Sequence, residues 1–479
     1  MQQRSSATRI GNTMRFECLD DWLAWQESLN PKEIDLGLDR VNSVLQRAGL
    51  PSSFNCPLIT VAGTNGKGSV VSILEGIAVA AGLKVCSYTS PHIFRYNERI
   101  KINTAPVDDI ALCKAFERID QARGSDIQLT YFEFGTLAAI DIFFRQAPDL
   151  VILEVGLGGR LDAVNVMDAD VSVLTSVAID HIDWLGDDRE AIGFEKAGIF
   201  RPHKPVICGD RHPPQSVIAE ARKKHCEFLQ AGRDFDVVNE DNSSVADWTL
   251  NSPYQAMTGL PSPNLTGEFQ KLNAASAIMA LQLLQGCSLL DKRIDLASAS
   301  ATGLANIALD GRFQKLQDRP RVYVDVAHNP HAASALSSQL EQTASTEGRT
   351  WAIVAMLADK DISGVLEKLI SCIDIWCFAG LADAPRGLTA EAFIQALPDK
   401  ISARVMPGIS QENRHDLALN QCTMLSETTL LCTSVTNACE MVLSKANETD
   451  RIIIFGSFYT VTEAMLYFSA NNDTSELEI

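Results

Sequence analysis

Val61-Ala62-Gly63-Thr64-Asn65-Gly66-Lys67-Gly68-Ser69 separates an apolar run from an amphipathic one. Leu58 to Val61 read as a buried strand. Val70, Ile73, Leu74, Ile77 and Ala81 recur at helical spacing, and Gly82 stands where a helix closes on a left-handed glycine. A strand, a glycine-rich loop and a helix opening at Ser69 make a phosphate cradle. Glycines let backbone N–H groups approach phosphate oxygens, and the helix N-terminus adds partial positive charge. Lys67 is placed to reach terminal phosphates, and Ser69 can ligate magnesium. The general G-x-x-x-x-G-K-[ST] pattern is broken twice. Val61 stands at its first glycine, and Gly68 separates Lys67 from Ser69.

Around this loop the chain alternates helical patterns with short apolar runs: Leu150–Val155, Val171–Val177, Val206–Cys208, Val322–Val326, Ala352–Met356 and Ile452–Phe455. That alternation predicts α/β layers with largely parallel sheets. A length of 479 residues predicts two or more domains. We place the break near Asp310-Gly311, giving a larger lobe over 1–310 and a smaller α/β lobe over 311–479. Residues 234–263 turn polar and read as a hairpin insert, and 407–450, rich in Ser, Thr and Asn, read as a peripheral insert. No internal repeat is visible. Residues 1–14 read as a disordered extension, with three arginines within the first sixteen residues giving only a faint resemblance to a transit peptide.

Composition narrows the class. A net charge of −19 argues against nucleic acid as the partner. It also means that anionic ligands must be held by local cations set into an acidic body. The uncharged run Leu272–Leu290 carries Asn273, Ser276, Gln282, Gln285 and Ser288, which predicts a helix of the fold and no membrane span. Twelve cysteines without a C-x-x-C pair predict reduced thiols, as in a cytoplasm.

Individual residues carry chemistry. Glu154 sits inside the apolar run Leu150–Val155, where an ionised carboxylate requires a metal, a cation such as Arg160, or several hydrogen bonds. His181, between Asp180 and Asp183 at a strand end, reads alone as a hydrogen-bonded surface group. Lys196 reads alone as a solvated lysine. Thr130 followed by Glu133 before an apolar run is a capping box, opening a helix over Phe134–Phe144. Asp325 reads alone as an acid ending a strand.

The loop Gly63–Ser69 followed by Ser90-Pro91-His92 resembles the nucleotide loop of the Mur ligase superfamily. Ile34-Asp35-Leu36-Gly37-Leu38, Thr130–Phe134, Leu153–Ala163, Asp180–Gly186, Glu195–Ile199, Gly311–Gln314 and Asp325–His331 follow in order. Together they resemble the folylpolyglutamate synthases, and within them the bifunctional dihydrofolate synthase/folylpolyglutamate synthases of bacteria. The resemblance implies a P-loop Mur-ligase-like domain with a mainly parallel sheet and a Rossmann-like C-terminal domain. It places Gly63, Thr64, Asn65, Gly66, Lys67, Gly68 and Ser69, with Asn273, Arg312 and Asp325, around ATP, Arg312 facing phosphates and Asp325 near the ribose. Ser90, Glu154 and His181 become magnesium ligands for one or two ions, with a nearby acid fixing the His181 tautomer. Lys196 becomes a site of carbamylation. Ile34, Asp35, Leu36 and Gly37, with Thr130, Tyr131, Phe132 and Glu133 and with Leu161, Asp162 and Ala163, become walls of a pterin pocket.

The activity implied is ATP-dependent ligation of L-glutamate to dihydropteroate and to reduced folates, by a cytoplasmic monomer, with Lys67, Lys196 and His181 in catalytic roles. Alternatives are a folylpolyglutamate synthase alone or another Mur-type amide ligase. A uridine-using cell-wall ligase is disfavoured, since the residues before Val61 show no separate uridine-binding domain. A P-loop kinase would transfer phosphate without needing glutamate, and a non-catalytic nucleotide switch leaves Glu154, His181 and Lys196 together unexplained.

Overall fold

The computed structural model describes residues 14–475 apart from Pro31, Glu33, 240–246, 344–347 and 408–420. The extension expected before Met14 therefore lies outside the described residues, as do 240–246 and 408–420 of the two expected inserts.

Leu58–Ala62 is buried throughout and lies inside an eight-stranded sheet, between Leu150–Glu154 and Val171–Leu174, parallel to both. Val85–Tyr88, Val206–Cys208 and Phe228–Gln230 extend the parallel set. These strands read as unbroken apolar runs because helices cover both faces. One face packs on Trp22, Phe116, Phe134 and Phe143. The other meets helix Lys67–Ala80, backed by Glu268–Gly286 and Leu296–Asn306. The uncharged run expected to be a helix of the fold forms most of Glu268–Gly286, and no described helix is long and apolar enough to cross a membrane.

The expected hairpin at 234–263 is instead a three-stranded antiparallel sheet, Asp236–Asn239, Trp248–Asn251 and Met257–Leu260. It is not detached: Trp248 is fully buried, joins the core with Leu250 and Leu260, and donates its indole N–H to Pro261 O at 2.9 Å.

Between Asn306 and Gln314 the chain passes to a seven-stranded sheet, ordered Gln314–Asp318, Arg321–Asp325, Arg451–Phe455, Thr350–Val354, Ile375–Ala379, Thr429–Cys432, Cys422–Ser426. The inner five strands are parallel and both edges antiparallel. Here the expectation of a peripheral insert is corrected. Thr429–Cys432 is a buried strand paired with Ile375–Ala379, and helix Val435–Leu443 packs Val435, Ala438, Cys439 and Val442 onto the sheet. Part of the polar content that misled the reading sits at turns and caps, such as the Ser434 hydroxyl accepting from Asn437 N. Cys422 and Cys432, directly opposed on adjacent strands, are joined as a disulfide, so the expectation of reduced thiols holds only for the other ten cysteines.

Candidate active site

The phosphate loop is shaped by backbone conformation. Gly66 adopts φ +88° and caps a helix that begins at Lys67, two residues earlier than expected from the apolar spacing. That start turns the N–H groups of Gly68 and Ser69 into the free donors of the first helical turn. A Cβ at Gly66 would lie 2.8 Å from Asn273 Oδ1, so the helix Glu268–Gly286 brings Asn273 against the loop. Lys67 folds back over its own loop, its Nζ 3.2 Å from Gly63 O and 3.5 Å from Thr64 O.

Glu154 ends its strand beside this loop. It is 4% exposed, and its Oε2 accepts one backbone hydrogen bond, from Ser90 N at 3.1 Å. Burial pushes its pKa up, opposed by Lys67, the Ser90 bond and Arg312. Arg160 turns elsewhere, to Glu195 at 3.6 Å and Glu220 at 3.4 Å. Atoms of Arg312 and Glu154 lie 3.8 and 4.0 Å from the Cβ position of Gly68, so both converge on the loop. A buried carboxylate with a single donor suits a divalent cation. His181 supports that reading, since burial lowers its pKa to about 4 and keeps the imidazole neutral. Among the described residues no three His, Cys, Asp or Glu side chains form a complete metal cage. The donor set is partial, of the kind completed by oxygens of a bound phosphate.

Lys196 is buried, not solvated. Its Nζ donates to Gly63 O at 3.1 Å, and burial followed by repulsion from Lys67 lowers its pKa to about 7. His181 does not end a strand, because Val171–Leu174 stops earlier. The following residues leave the sheet to bond the phosphate loop: Thr64 N to Ser176 O at 2.8 Å and Thr64 Oγ1 to Ala178 O at 3.0 Å. Asp180 accepts from the His181 backbone N at 2.8 Å.

The segments expected to form one pocket meet. Gly37 N donates to Leu161 O at 3.3 Å, and Arg40 bridges Asp35 at 2.8 Å and Glu133 at 3.0 Å. The capping box is present: Thr130 Oγ1 accepts from Glu133 N, and Glu133 from Thr130 N, opening a helix over Tyr131–Gln146. Phe132 lies so near the chain that a Cβ at Gly156 would stand 2.6 Å from its ring. Asp162 accepts from Leu157 N at 2.8 Å and Val164 N at 3.1 Å, and burial raises its pKa to about 7.

Asp325 ends the strand Arg321–Asp325, as its sequence reading expects. Its two oxygens accept from Phe313 N at 2.9 Å and Ala327 N at 2.8 Å, anchoring the loop that carries Arg312. Sequence reasoning missed Gln270, whose side-chain nitrogen is buried without a partner while its oxygen accepts from Asn273 at 2.9 Å. The three-residue helical spacing of Gln270 and Asn273 was the available signal. It also missed Lys360 and Arg386, which pair with Asp180 and Asp359 respectively.

Residues 61–281 match the Mur ligase middle domain, and residues 311–458 the glutamate ligase domain of Mur ligases. The chain is 40% identical over 449 residues to the dihydrofolate synthase/folylpolyglutamate synthase of Escherichia coli (strain K12), spanning 93% of this chain and 94% of that one. Among solved structures it resembles Escherichia coli FolC in complex with DHPP and ADP, with TM-score 0.80 and 39% identity over 95% of this chain and 98% of that chain. A bifunctional folylpolyglutamate synthase/dihydrofolate synthase with Mn, AMPPNP and L-glutamate bound gives TM-score 0.78 and 36% identity over 94% and 98%. The chain belongs to the Mur ligase family and, within it, to the dihydrofolate synthase/folylpolyglutamate synthase branch.

Proposed function

We propose that this enzyme joins L-glutamate to dihydropteroate, giving dihydrofolate, and adds glutamate to reduced folates, in each case through an acyl phosphate. The observation that carries the reading is the convergence of Lys67, Glu154 and Arg312 on one phosphate loop. The γ-phosphate of ATP is the electrophile. Lys67, Arg312 and the free N–H groups after Gly66 neutralise it and align it with the substrate carboxylate. Glu154, His181 and Ser90 would hold a magnesium ion, which would supply neutralisation of phosphate charge. Neutral Lys196 accepts carbon dioxide as a carbamate and adds an anionic oxygen beside this set. Asn273 contacts ATP beside Gly66 of the loop, and Asp325 lies near the ribose.

The pterin lies along Ile34–Gly37, Phe132 and Leu161–Ala163, with Phe132 packing on the ring. The glutamate carboxylates are met from the other lobe, where Lys360 and Arg386 lie on either side of Asp359. Its amine then attacks the acyl carbon, and orthophosphate leaves. The lobes meet at residues 310 and 311.

The mechanism is tested by placing a heavy-oxygen label in the pteroate carboxylate. The label must appear in the released phosphate, because that oxygen attacks phosphorus. Amide formed without labelled phosphate rules the acyl phosphate out. Assay of pteroate, folate and uridine-linked acids in turn separates this reading from other Mur-type ligases.

A further inference from the structure

Asp180 has no role in the chemistry above, yet four groups meet its carboxylate. Oδ1 accepts from His181 N at 2.8 Å and Lys360 Nζ at 3.0 Å. Oδ2 accepts from Asn329 Nδ2 at 2.9 Å and lies 3.4 Å from His328 Nε2. Three of these four partners belong to the C-terminal lobe. Asn329 in turn exchanges two hydrogen bonds with Asn65 of the phosphate loop, at 3.1 and 3.0 Å, while its Oδ1 caps helix Pro330–Gln342 through Ala332 N. One side chain therefore ties the nucleotide loop, the segment before His181 and the start of a C-terminal helix into a single register.

Burial makes that register conditional. The side chains of Asp180 and Lys360 are 8% and 6% exposed, and Asn329 is 2% exposed. A carboxylate and an ammonium removed from water are tolerated only while their hydrogen bonds are intact. A small slip between the lobes leaves the Asp180 carboxylate with only the His181 N–H, while Lys360 keeps Asp359 at 3.4 Å, so the contact favours one arrangement over a continuum.

We propose that Asp180 is a positioning residue, a clasp across the lobes that holds the acceptor-amine side against the loaded phosphate loop. The proposal rests on the ligase reading above. Lys67 and Glu154 act from the first lobe and Arg312 from the crossing between lobes, so phosphorylation of the carboxylate survives loss of the clasp. Delivery of the amine does not. An acyl phosphate left waiting is hydrolysed: a water oxygen bonds to the acyl carbon and the bond from that carbon to the phosphate oxygen breaks. Orthophosphate and the original carboxylate are released, with one proton going to solvent. The net result is ATP hydrolysis without amide.

The test compares wild type with Asp180→Asn, Asp180→Glu and Asn329→Ser. Serine keeps a helix-capping oxygen but loses the amide Nδ2 that donates to Asp180. ADP formed per amide formed is read with dihydropteroate present, together with the KM for L-glutamate. We expect one ADP per amide in wild type and a rise to about ten in Asp180→Asn and Asn329→Ser, the scale set by losing an oriented amine. The glutamate KM rises with it, and Asp180→Glu recovers part of the coupling. One ADP per amide in both Asp180→Asn and Asn329→Ser, however slow, overturns the clasp alone and leaves Asp180 a structural residue. A wild-type enzyme that forms no amide from pteroate or folate acids overturns the ligase reading, and the clasp with it.

Discussion

Lys67 and Lys196 donate to one acceptor, the carbonyl oxygen of Gly63, at 3.2 and 3.1 Å. Two ammonium groups cannot share one neutral oxygen cheaply. Burial and the neighbouring Lys67 push Lys196 down to about 7, leaving Lys67 as the resident cation of the loop. A γ-phosphate offers Lys67 a better partner than its own backbone. Lys67→Ala is therefore expected to lower turnover by about a thousandfold or more while the fold is kept, the size of a lost charge contact in a phosphoryl-transfer transition state. Steady-state kinetics with circular dichroism as the fold control decide it. A loss below about tenfold, roughly 1.4 kcal/mol of barrier, means that Lys67 does not reach the transferring group.

Lys196 makes a different prediction. Only a neutral amine adds carbon dioxide, and a lysine brought to about 7 supplies one near neutrality. Activity of the wild type should rise with added bicarbonate after thorough degassing. Lys196→Ala should be nearly inactive and recover partly with short-chain carboxylic acids, which put an oxygen anion where the carbamate stood. Full activity in degassed buffer, with no response to bicarbonate, leaves Lys196 as a loop anchor through Gly63.

Asp162 gives the pH dependence. Burial raises its carboxyl from 3.8 to about 7. Its folded pKa exceeds the unfolded one, so its contribution to stability is complete below the unfolded value and is lost as pH rises through about 7. The unfolding free energy of Asp162→Asn relative to wild type should accordingly move in favour of the variant between about pH 4 and about pH 7. A pterin carries adjacent N–H donors that an ionised carboxylate accepts, so the dihydropteroate KM of wild type should fall as pH rises through about 7. Asp162→Asn should show a flat profile. A wild-type KM that does not change across neutrality separates Asp162 from the pterin.

Much of this architecture is local and hence legible. The strand, loop and helix from Leu58 to Gly82 announce themselves through apolar runs and glycines, and the Thr130–Glu133 box is complete within four residues. Parallel strands buried on both faces are readable for the same reason. What sequence reasoning missed is non-local. Asp180 meets Asn329 and Lys360 across 149 and 180 residues, and no periodicity encodes such a pairing. The strand Thr429–Cys432 was hidden because polar turns surround its four buried residues. Helix Lys67–Ala80 starts before its apolar stripe, since its first turn is devoted to the loop and not to the core.

Both ligations are expected to use this one site. Lys67, Glu154 and Arg312 form a single convergence, so the acyl carbon must reach the same γ-phosphate in either reaction. Dihydropteroate carries its carboxylate on the benzoate ring, whereas a folate carries it one glutamate further out. With the phosphate fixed, the pterin of a folate must lie displaced by that glutamate, so the two substrates cannot use the wall at Phe132 and Asp35 equally. Phe132 lies close against Gly156, and Asp35 is held by Arg40 at 2.8 Å, so both side chains have fixed neighbours. Removing an aromatic stacking surface typically costs about 1 kcal/mol beyond lost area. Phe132→Ala and Asp35→Ala should therefore reduce kcat/KM for dihydropteroate by at least about tenfold more than for a reduced folate, while Lys67→Ala and Glu154→Ala abolish both. Parallel assays of the two acids on each variant provide the measurement. Equal losses on both substrates mean one common pterin position and require the acyl chain to fold back. A wild-type enzyme that extends tetrahydrofolate but leaves dihydropteroate untouched is a folylpolyglutamate synthase alone.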